Sequence, residues 1–186
     1  MSIDKCALRV EIRSRLKALS DGERTQRSQH IVHSAQRFLQ QKKVSSVCVY
    51  NSFGSEVQTG ELVRWLKDNG IEVYMPRISG NTMETVHIND DTIFVRNSYG
   101  IDEPLGKDEY DADPDVIVMP LLAFDDRFNR LGRGKGYYDA YLKKHSGYRL
   151  ALAYECQRAD HIPCDEFDEI LDAVITETGI AERNKG

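Results

Sequence analysis

Three glycines alternate with cations in the segment Arg130-Leu131-Gly132-Arg133-Gly134-Lys135-Gly136-Tyr137-Tyr138-Asp139. Glycine lets a backbone approach a ligand closely because no Cβ intervenes. Arg130, Arg133 and Lys135 supply the positive charge that phosphate oxygens attract. The segment follows an apolar, strand-like run and opens a helix-like one, so backbone N–H groups and the helix dipole would meet the same anion. The spacing departs from two well-known phosphate loops. A P-loop places Ser or Thr after Gly-Lys, and here Gly136 follows Lys135. A dinucleotide loop reads G-x-G-x-x-G, and this one reads G-x-G-x-G. The residues alone specify an anion-binding loop of open type. A flexible basic surface loop has the same composition.

Carboxylates that could serve such a loop are few. Asp139 lies three residues after the last glycine, about one turn into the new helix. A carboxylate beside bound phosphates suits Mg²⁺, which one or two carboxylates usually hold together with phosphate oxygens. The same Asp could simply complement the helix dipole. Lys5, Arg9 and Arg13 recur every four residues and line one helical edge, facing either a cleft or solvent. Glu56 follows a strand-like run, and ligands of α/β sheets bind beyond the carboxyl ends of strands. Asp168 and Asp172 are four residues apart near the last strand-like run. Read singly, these three acids are surface residues as readily as functional ones. His30 and His33 could share a helix face, but no nearby Cys or His completes a metal site. Cys6, Cys48, Cys156 and Cys164 form no C-x-x-C pair, so neither a zinc site nor a disulfide framework is expected.

The elements that must position these groups follow from periodicity. Leu8, Ile12, Leu16 and Leu19 make one helical stripe. Ser20-Asp21-Gly22-Glu23 matches a capping box that separates it from a second helix, buried through Ile31, Val32, Ala35, Phe38 and Leu39. Val47 to Tyr50 reads as a buried strand and Asn51 to Gln58 as a loop. Thr59 can cap a helix through Lys67, closed by Asn69-Gly70. Glu72 to Met75 is a strand stopped by Pro76. This β-α-β unit favours parallel strands and a right-handed crossover. Thr85 to His87 and Ile93 to Val95 read as short strands. Asn81, Asn97, Gly100, Pro104, Gly106 and Pro114 mark turns. Val116 to Met119 is the clearest buried strand. A long loop, 120–136, leads to a helix at Tyr137 to Lys144 and strands at Arg149 to Ala153 and Ala173 to Thr176. Strands alternating with helices predict a layered α/β fold: α/β/α in three layers, with a mostly parallel sheet and an N-terminal helical pair. One domain over residues 1–186 is expected.

Composition narrows the partners. Of 186 residues, 40% are hydrophobic and 30% charged, as in ordinary globular domains. The formal charge of −5 argues against general nucleic-acid binding. No run approaches a membrane span. Met1 to Lys5 has no apolar signal-peptide core, so a cytoplasmic protein is expected.

Taken together, the motifs resemble the 5-formyltetrahydrofolate cyclo-ligase (5,10-methenyltetrahydrofolate synthetase) family. The resemblance rests on Met119 to Asp125 followed by Asn129 to Asp139. It extends to Lys5 and Arg9, Glu56 to Thr59, Tyr99 to Pro104, Ile162-Pro163, Asp168, Asp172 and Ile175 to Gly179. One departure stands out: members commonly carry Gly where this chain has Phe128, and a left-handed turn there would strain it. The resemblance implies ATP-dependent closure of 5-formyltetrahydrofolate to 5,10-methenyltetrahydrofolate, with Mg²⁺ as cofactor and ATP as co-substrate. It implies ATP contacts from Lys5, Arg9, Arg130, Gly132, Arg133, Gly134, Lys135, Gly136 and Tyr138, with Arg130 and Lys135 catalytic. It implies folate contacts from Glu56, Tyr99 and Tyr138, and metal ligation by Asp139 and Asp168. A monomer with no nucleic-acid or membrane partner is expected. A small-molecule kinase shares the phosphate loop but would use another acceptor. A non-catalytic folate- or nucleotide-binding module would need no metal carboxylates.

Overall fold

The computed structural model describes residues 4–80, 82–98, 100–106, 113–165 and 168–184. Helix α1 (Lys5–Ala18) buries Leu8, Ile12 and Leu16. Helix α2 (Asp21–Lys42) starts at the expected capping box: Ser20 Oγ accepts the Glu23 N–H at 3.2 Å, and the Ser20 N–H donates to the Glu23 carboxylate at 2.8 Å. Such a cap contributes about 1 kcal/mol. Helix α3 (Gly60–Asp68) follows Thr59, but the cap reading is corrected there. The Thr59 hydroxyl donates to the Tyr50 carbonyl at 2.8 Å instead, because that buried acceptor has no water to turn to.

The strands are β1 (Ser46–Val49), β2 (Glu72–Ser79), β3 (Thr82–His87), β4 (Ile93–Arg96), β5 (Asp102–Leu105), β6 (Val116–Met119), β7 (Ala123–Phe124) and β8 (Arg130–Leu131). After helix α4 (Tyr137–Leu142) come β9 (Tyr148–Leu152), β10 (Ala173–Thr176) and β11 (Gly179–Glu182). Seven of them form one sheet in the order β11-β10-β9-β6-β1-β2-β3. The five inner strands are parallel, and β3 and β11 are antiparallel edges. The inner strands β1, β6 and β10 are buried along their whole length, which is why they read as unbroken apolar runs.

Alternate residues face opposite layers. Val47, Val49, Val116, Val118, Leu150 and Leu152 pack with α1, α2 and α3. Cys48, Ile117, Met119, Ala151 and Val174 pack with Tyr141 and Leu142 of α4. The result is the expected three-layer α/β/α arrangement, held by burial worth roughly 1.5–3 kcal/mol per large apolar side chain.

Several readings differ from expectation: β3 begins at Thr82 rather than Thr85, the expected loop 120–136 contains the paired β7 and β8, and Pro104, expected in a turn, lies in β5. Pro76 does not stop β2, which continues to Ser79. Pairing with β1 ends at Tyr74, so beyond it β2 pairs, among the described residues, with β3 alone and its other edge meets side chains such as Glu103, where a missing N–H is tolerated. Helix α4 ends at Leu142 rather than Lys144. The chain must reach Gly147, where an added Cβ would stand 2.7 Å from the Pro114 carbonyl oxygen.

Strands β1 and β6 are parallel neighbours whose connections leave toward opposite layers: β1 leads to α3 and β6 leads to α4. A crevice opens outside the carboxyl ends of such a pair, at the point where the strand order reverses. The loop carrying Glu56 follows β1, and the loop carrying the glycines follows β6.

Candidate active site

A cavity of about 440 Å³ occupies this crevice, lined by both loops, the start of α1 and the β4–β5 hairpin. The glycine loop turns through left-handed backbone at Gly134 (φ 102°) and Gly136 (φ 71°), which glycine adopts without strain. Arg9 braces it from α1, its Nε donating to the Gly132 carbonyl at 3.0 Å. A Cβ on residue 134 would lie 3.5 Å from the Arg9 guanidinium. Helix α4 has six residues, so its dipole is small and the cations must supply most of the loop's attraction for anions. Arg133, Gly134, Lys135 and Gly136 are exposed toward the cavity mouth.

Arg130 lies deeper, 7% exposed, with its Nη2 2.5 Å from Asp139 Oδ1. Its guanidinium sits 5.8 Å from the Tyr138 ring centre, an orientation that a cation–π contact favours. Its Nε has no hydrogen-bond partner among the described residues. An unpaired buried donor costs about 1–3 kcal/mol, a cost that an anion in the cavity can remove. Lys5 Nζ lies 2.6 Å from Asp168 Oδ2 and 3.0 Å from Asp165 Oδ2. Burial is the largest single influence on Lys5 and acts to lower it, but the two aspartates together outweigh it and leave the ammonium raised. Asp139 Oδ1 also faces the backbone N–H of Glu169, the residue after Asp168, at 3.5 Å. Two carboxylates from distant segments therefore reach the same wall, each already carrying a cation.

Glu56 closes the other side. Its Oε1 is 2.7 Å from Arg133 Nη2, and its Oε2 accepts the Phe53 N–H at 2.9 Å. Burial nevertheless raises its carboxyl above the ordinary value, outweighing Arg133 and the Phe53 N–H. Burial likewise holds the Tyr138 hydroxyl well above its usual range. Asn51 Nδ2 donates to the Asp102 carbonyl at 2.9 Å and ties the hairpin over the cavity.

Every site residue expected from the sequence lines this cavity except Tyr99, which lies outside the described residues. Arg13 is exposed on α1 and does not line it. Asp172 serves the fold: it is buried, pairs with Arg183 at 3.0 Å and accepts the Arg149 N–H at 3.0 Å. His30 and His33 are both exposed on α2, and among the described residues no group of three His, Cys, Asp or Glu side chains is placed around a metal.

Sequence reasoning passed over Asp165, and it quoted Asp125 within the resemblance without giving it a role. The buried Asp125 carboxylate accepts N–H groups from Arg127, Asn129, the Asn129 amide and Ile162, each at 3.0 Å. It shapes the turn that delivers Arg130, and the Asp-x-x-x-Asn spacing was its available signal. Within that turn Phe128 adopts φ 63°, the left-handed conformation foreseen as a strain.

The model of the 5-formyltetrahydrofolate cyclo-ligase family matches residues 1–177. The 5-formyltetrahydrofolate cyclo-ligase of Mus musculus is 32% identical over 190 residues, covering 93% of both chains. That of Escherichia coli K12 is 30% identical over 181 residues, covering 92% of this chain and 99% of its own. Among solved structures, 5,10-methenyltetrahydrofolate synthetase from Aquifex aeolicus superimposes with a TM-score of 0.87 at 28% identity, covering 98% of this chain and 94% of its own. The enzyme of that name from Mycoplasma pneumoniae gives a TM-score of 0.76 at 26% identity, covering 94% of this chain and 99% of its own.

Proposed function

We infer the reaction from the premise that this chain belongs to the 5-formyltetrahydrofolate cyclo-ligase family: it converts 5-formyltetrahydrofolate and ATP to 5,10-methenyltetrahydrofolate, ADP and phosphate. The observation that supports this most is the convergence, in one cavity, of a cationic glycine loop, two cation-paired carboxylates and a buried glutamate.

The formyl oxygen is a poor leaving group. Attack of that oxygen on the γ-phosphorus of ATP breaks the bond to the β-phosphate and releases ADP. N10 then attacks the formyl carbon, the C–O bond breaks as phosphate leaves, and the N10 proton is lost on closure. Phosphoryl transfer needs positioning and charge neutralisation more than a protein nucleophile. Arg130 and Lys135 neutralise the transferring phosphoryl group. Lys5, Arg9 and Arg133, with the amides of Gly132, Gly134 and Gly136, hold the remaining phosphate oxygens. Glu56 accepts pterin N–H groups, and Tyr138 flanks a flat ring of either substrate.

The donors fit magnesium. Asp139 and Asp168 offer hard oxygen ligands and would hold the ion, and their partners Arg130 and Lys5 line the same cavity, placed for phosphate. Held there, Mg²⁺ would supply charge neutralisation for the transferring phosphoryl group. Among the described residues no helix is long and apolar enough to cross a membrane. A single sheet drawing strands from Ser46 to Glu182 supports one domain over residues 1–186, and we read it as a cytoplasmic monomer without nucleic-acid or membrane partners.

The test is direct. The purified protein with 5-formyltetrahydrofolate, ATP and Mg²⁺ should generate the near-ultraviolet absorbance of the methenyl product, and none when ATP is omitted or EDTA is added. Absence of product with all three present, or equal turnover in EDTA, would overturn the proposal.

A further inference from the structure

Glu56 sits in a loop that leaves β1 and returns at α3, so its carboxylate is only as well placed as that loop is rigid. Two bonds within the segment help: the Tyr50 hydroxyl donates to the Val57 carbonyl at 2.9 Å, and Thr59 to that of Tyr50 at 2.8 Å. Two further contacts come from distant elements. Ser28, on α2 and 2% exposed, accepts the Gln58 N–H on its Oγ at 3.0 Å. The Tyr154 hydroxyl, from the segment after β9 and fully buried, lies 3.2 Å from the Glu56 carbonyl. Ser28 Oγ and Tyr154 Oη are 2.9 Å apart.

Each hydroxyl has one proton, which orders these contacts. If Tyr154 donated to Ser28, the Glu56 carbonyl would lose this partner. If Tyr154 donates to Glu56, Ser28 donates to Tyr154 and still accepts from Gln58. The Arg24 carbonyl is a third acceptor near Tyr154 Oη, but it is farther, at 3.4 Å, and lies within α2 where the helix supplies its donor. The second arrangement satisfies every group: Gln58 N–H to Ser28 Oγ, Ser28 O–H to Tyr154 Oη, Tyr154 O–H to Glu56 C=O. The relay clamps the backbone on both sides of Val57, itself 1% exposed. Neither hydroxyl is needed for helix or strand formation, and a serine in a helix interior is otherwise neutral to unfavourable.

We propose that Ser28 and Tyr154 are positioning residues that fix the Glu56 carboxylate toward the folate, without touching either substrate. This rests on the reading of Glu56 as a folate contact. Neither hydroxyl bonds a cation assigned to ATP; the one link to that side is the Glu56–Arg133 pair at 2.7 Å, so loss of the relay acts more on folate than on ATP.

Ser28→Ala, Tyr154→Phe, Glu56→Gln and the double variant Ser28→Ala/Glu56→Gln separate the outcomes. Steady-state kinetics would vary each substrate in turn, with thermal unfolding alongside. Losing one buried hydrogen bond of the clamp should raise the folate KM about 5- to 30-fold in Ser28→Ala and Tyr154→Phe. The ATP KM should move by less than about fivefold, because Arg133 alone of the phosphate cations is tied to Glu56 and the others keep their own partners. The double variant should match Glu56→Gln alone in folate KM, because a clamp has nothing to place once the carboxylate is gone. A purely packing role predicts the opposite: both KM values move with thermal stability, and the double variant's effects multiply. Should Ser28→Ala fail to fold, Tyr154→Phe keeps the ring and carries the comparison. An impaired Glu56→Gln with normal Ser28→Ala and Tyr154→Phe overturns the positioning role alone. A normal folate KM in Glu56→Gln overturns the reading of Glu56, and the clamp's purpose with it.

Discussion

Asp139→Asn and Asp168→Asn should have the same effect on magnesium and different effects on stability. Each removes one negative charge at constant shape. Two unit charges about 4 Å apart interact by about 4 kcal/mol at an effective dielectric near 20. Water around the ion returns much of this. A loss of about 1.4 kcal/mol, a tenfold rise in the Mg²⁺ concentration for half-maximal rate, is the least expected of either variant. Stability divides them because their partners differ. Asp139 neutralises Arg130, whose side chain is 4% exposed, whereas Lys5 opposite Asp168 is 26% exposed and keeps Asp165 as a second partner. Breaking a fully buried pair costs about 3–5 kcal/mol. Asp139 is 26% exposed, so a cost nearer 2 kcal/mol is expected after discounting for solvent. For a chain of this length that lowers Tm by about 4–8 °C. Asp168→Asn should cost less, about 1 kcal/mol, because Lys5 is more exposed than Arg130 and keeps Asp165 as a partner. Rates would be followed by product absorbance across a Mg²⁺ titration, with calorimetric unfolding on the same samples. An unchanged magnesium requirement in both variants, whatever their Tm, would show the two aspartates to be structural partners of Arg130 and Lys5 and nothing more.

Lys135→Ala, at an exposed loop position, should raise the ATP KM by about one to two decades, the worth of a charge-assisted hydrogen bond, with little change in Tm; wild-type kinetics would make the loop a bystander. Glu56 has a pH signature. Its carboxyl is raised by burial in the folded chain. The stability it contributes is thus fully present below the unfolded value and lost as pH rises through the folded value. The ionised form accepts pterin N–H groups, so kcat/KM for folate should climb over that same rise, and Glu56→Gln should flatten both curves; an identical pH profile in the variant would exclude this role. At position 128 the left-handed backbone should reverse the usual ranking of side chains. Phe128→Val should be less stable than Phe128→Gly by about 1–2 kcal/mol in denaturant unfolding, despite valine's greater burial. The opposite order would mean that packing, not backbone strain, decides this position.

How much of this was legible in the sequence depended on range. Helical stripes and buried strands repeat with the period of the backbone itself, so Val116–Met119 and Ala173–Thr176 could be placed to the residue. The capping box closes within four residues and needs nothing from elsewhere. The glycine loop's place at the cavity, and the anion site proposed for it, follow from its own composition and its position after β6. Where neighbours decide, local reading failed. Pro76 stays in its strand because β1 has already ended, and Thr59 turns from its helix to a buried carbonyl. The edge strand β11 carries little burial and so little apolar signal.

The site shows the same division. The proposed chemistry rests on residue types: cations and glycines for phosphate, aspartates for a hard metal ion, a glutamate for N–H donors. Which cation meets which carboxylate was set by topology alone. Lys5 and Asp168 are 163 residues apart, and Glu56 and Arg133 are 77 apart. Glu56 and Arg133 meet because β1 and β6 are parallel neighbours whose loops leave the same end of the sheet toward opposite layers; Lys5 and Asp168 meet because the start of α1 and the segment before β10 reach the same cavity. Spacing along a chain encodes periodic local geometry, whereas a contact across the sheet requires the strand order, and that order is settled only when the two faces are packed and the apolar runs are buried together.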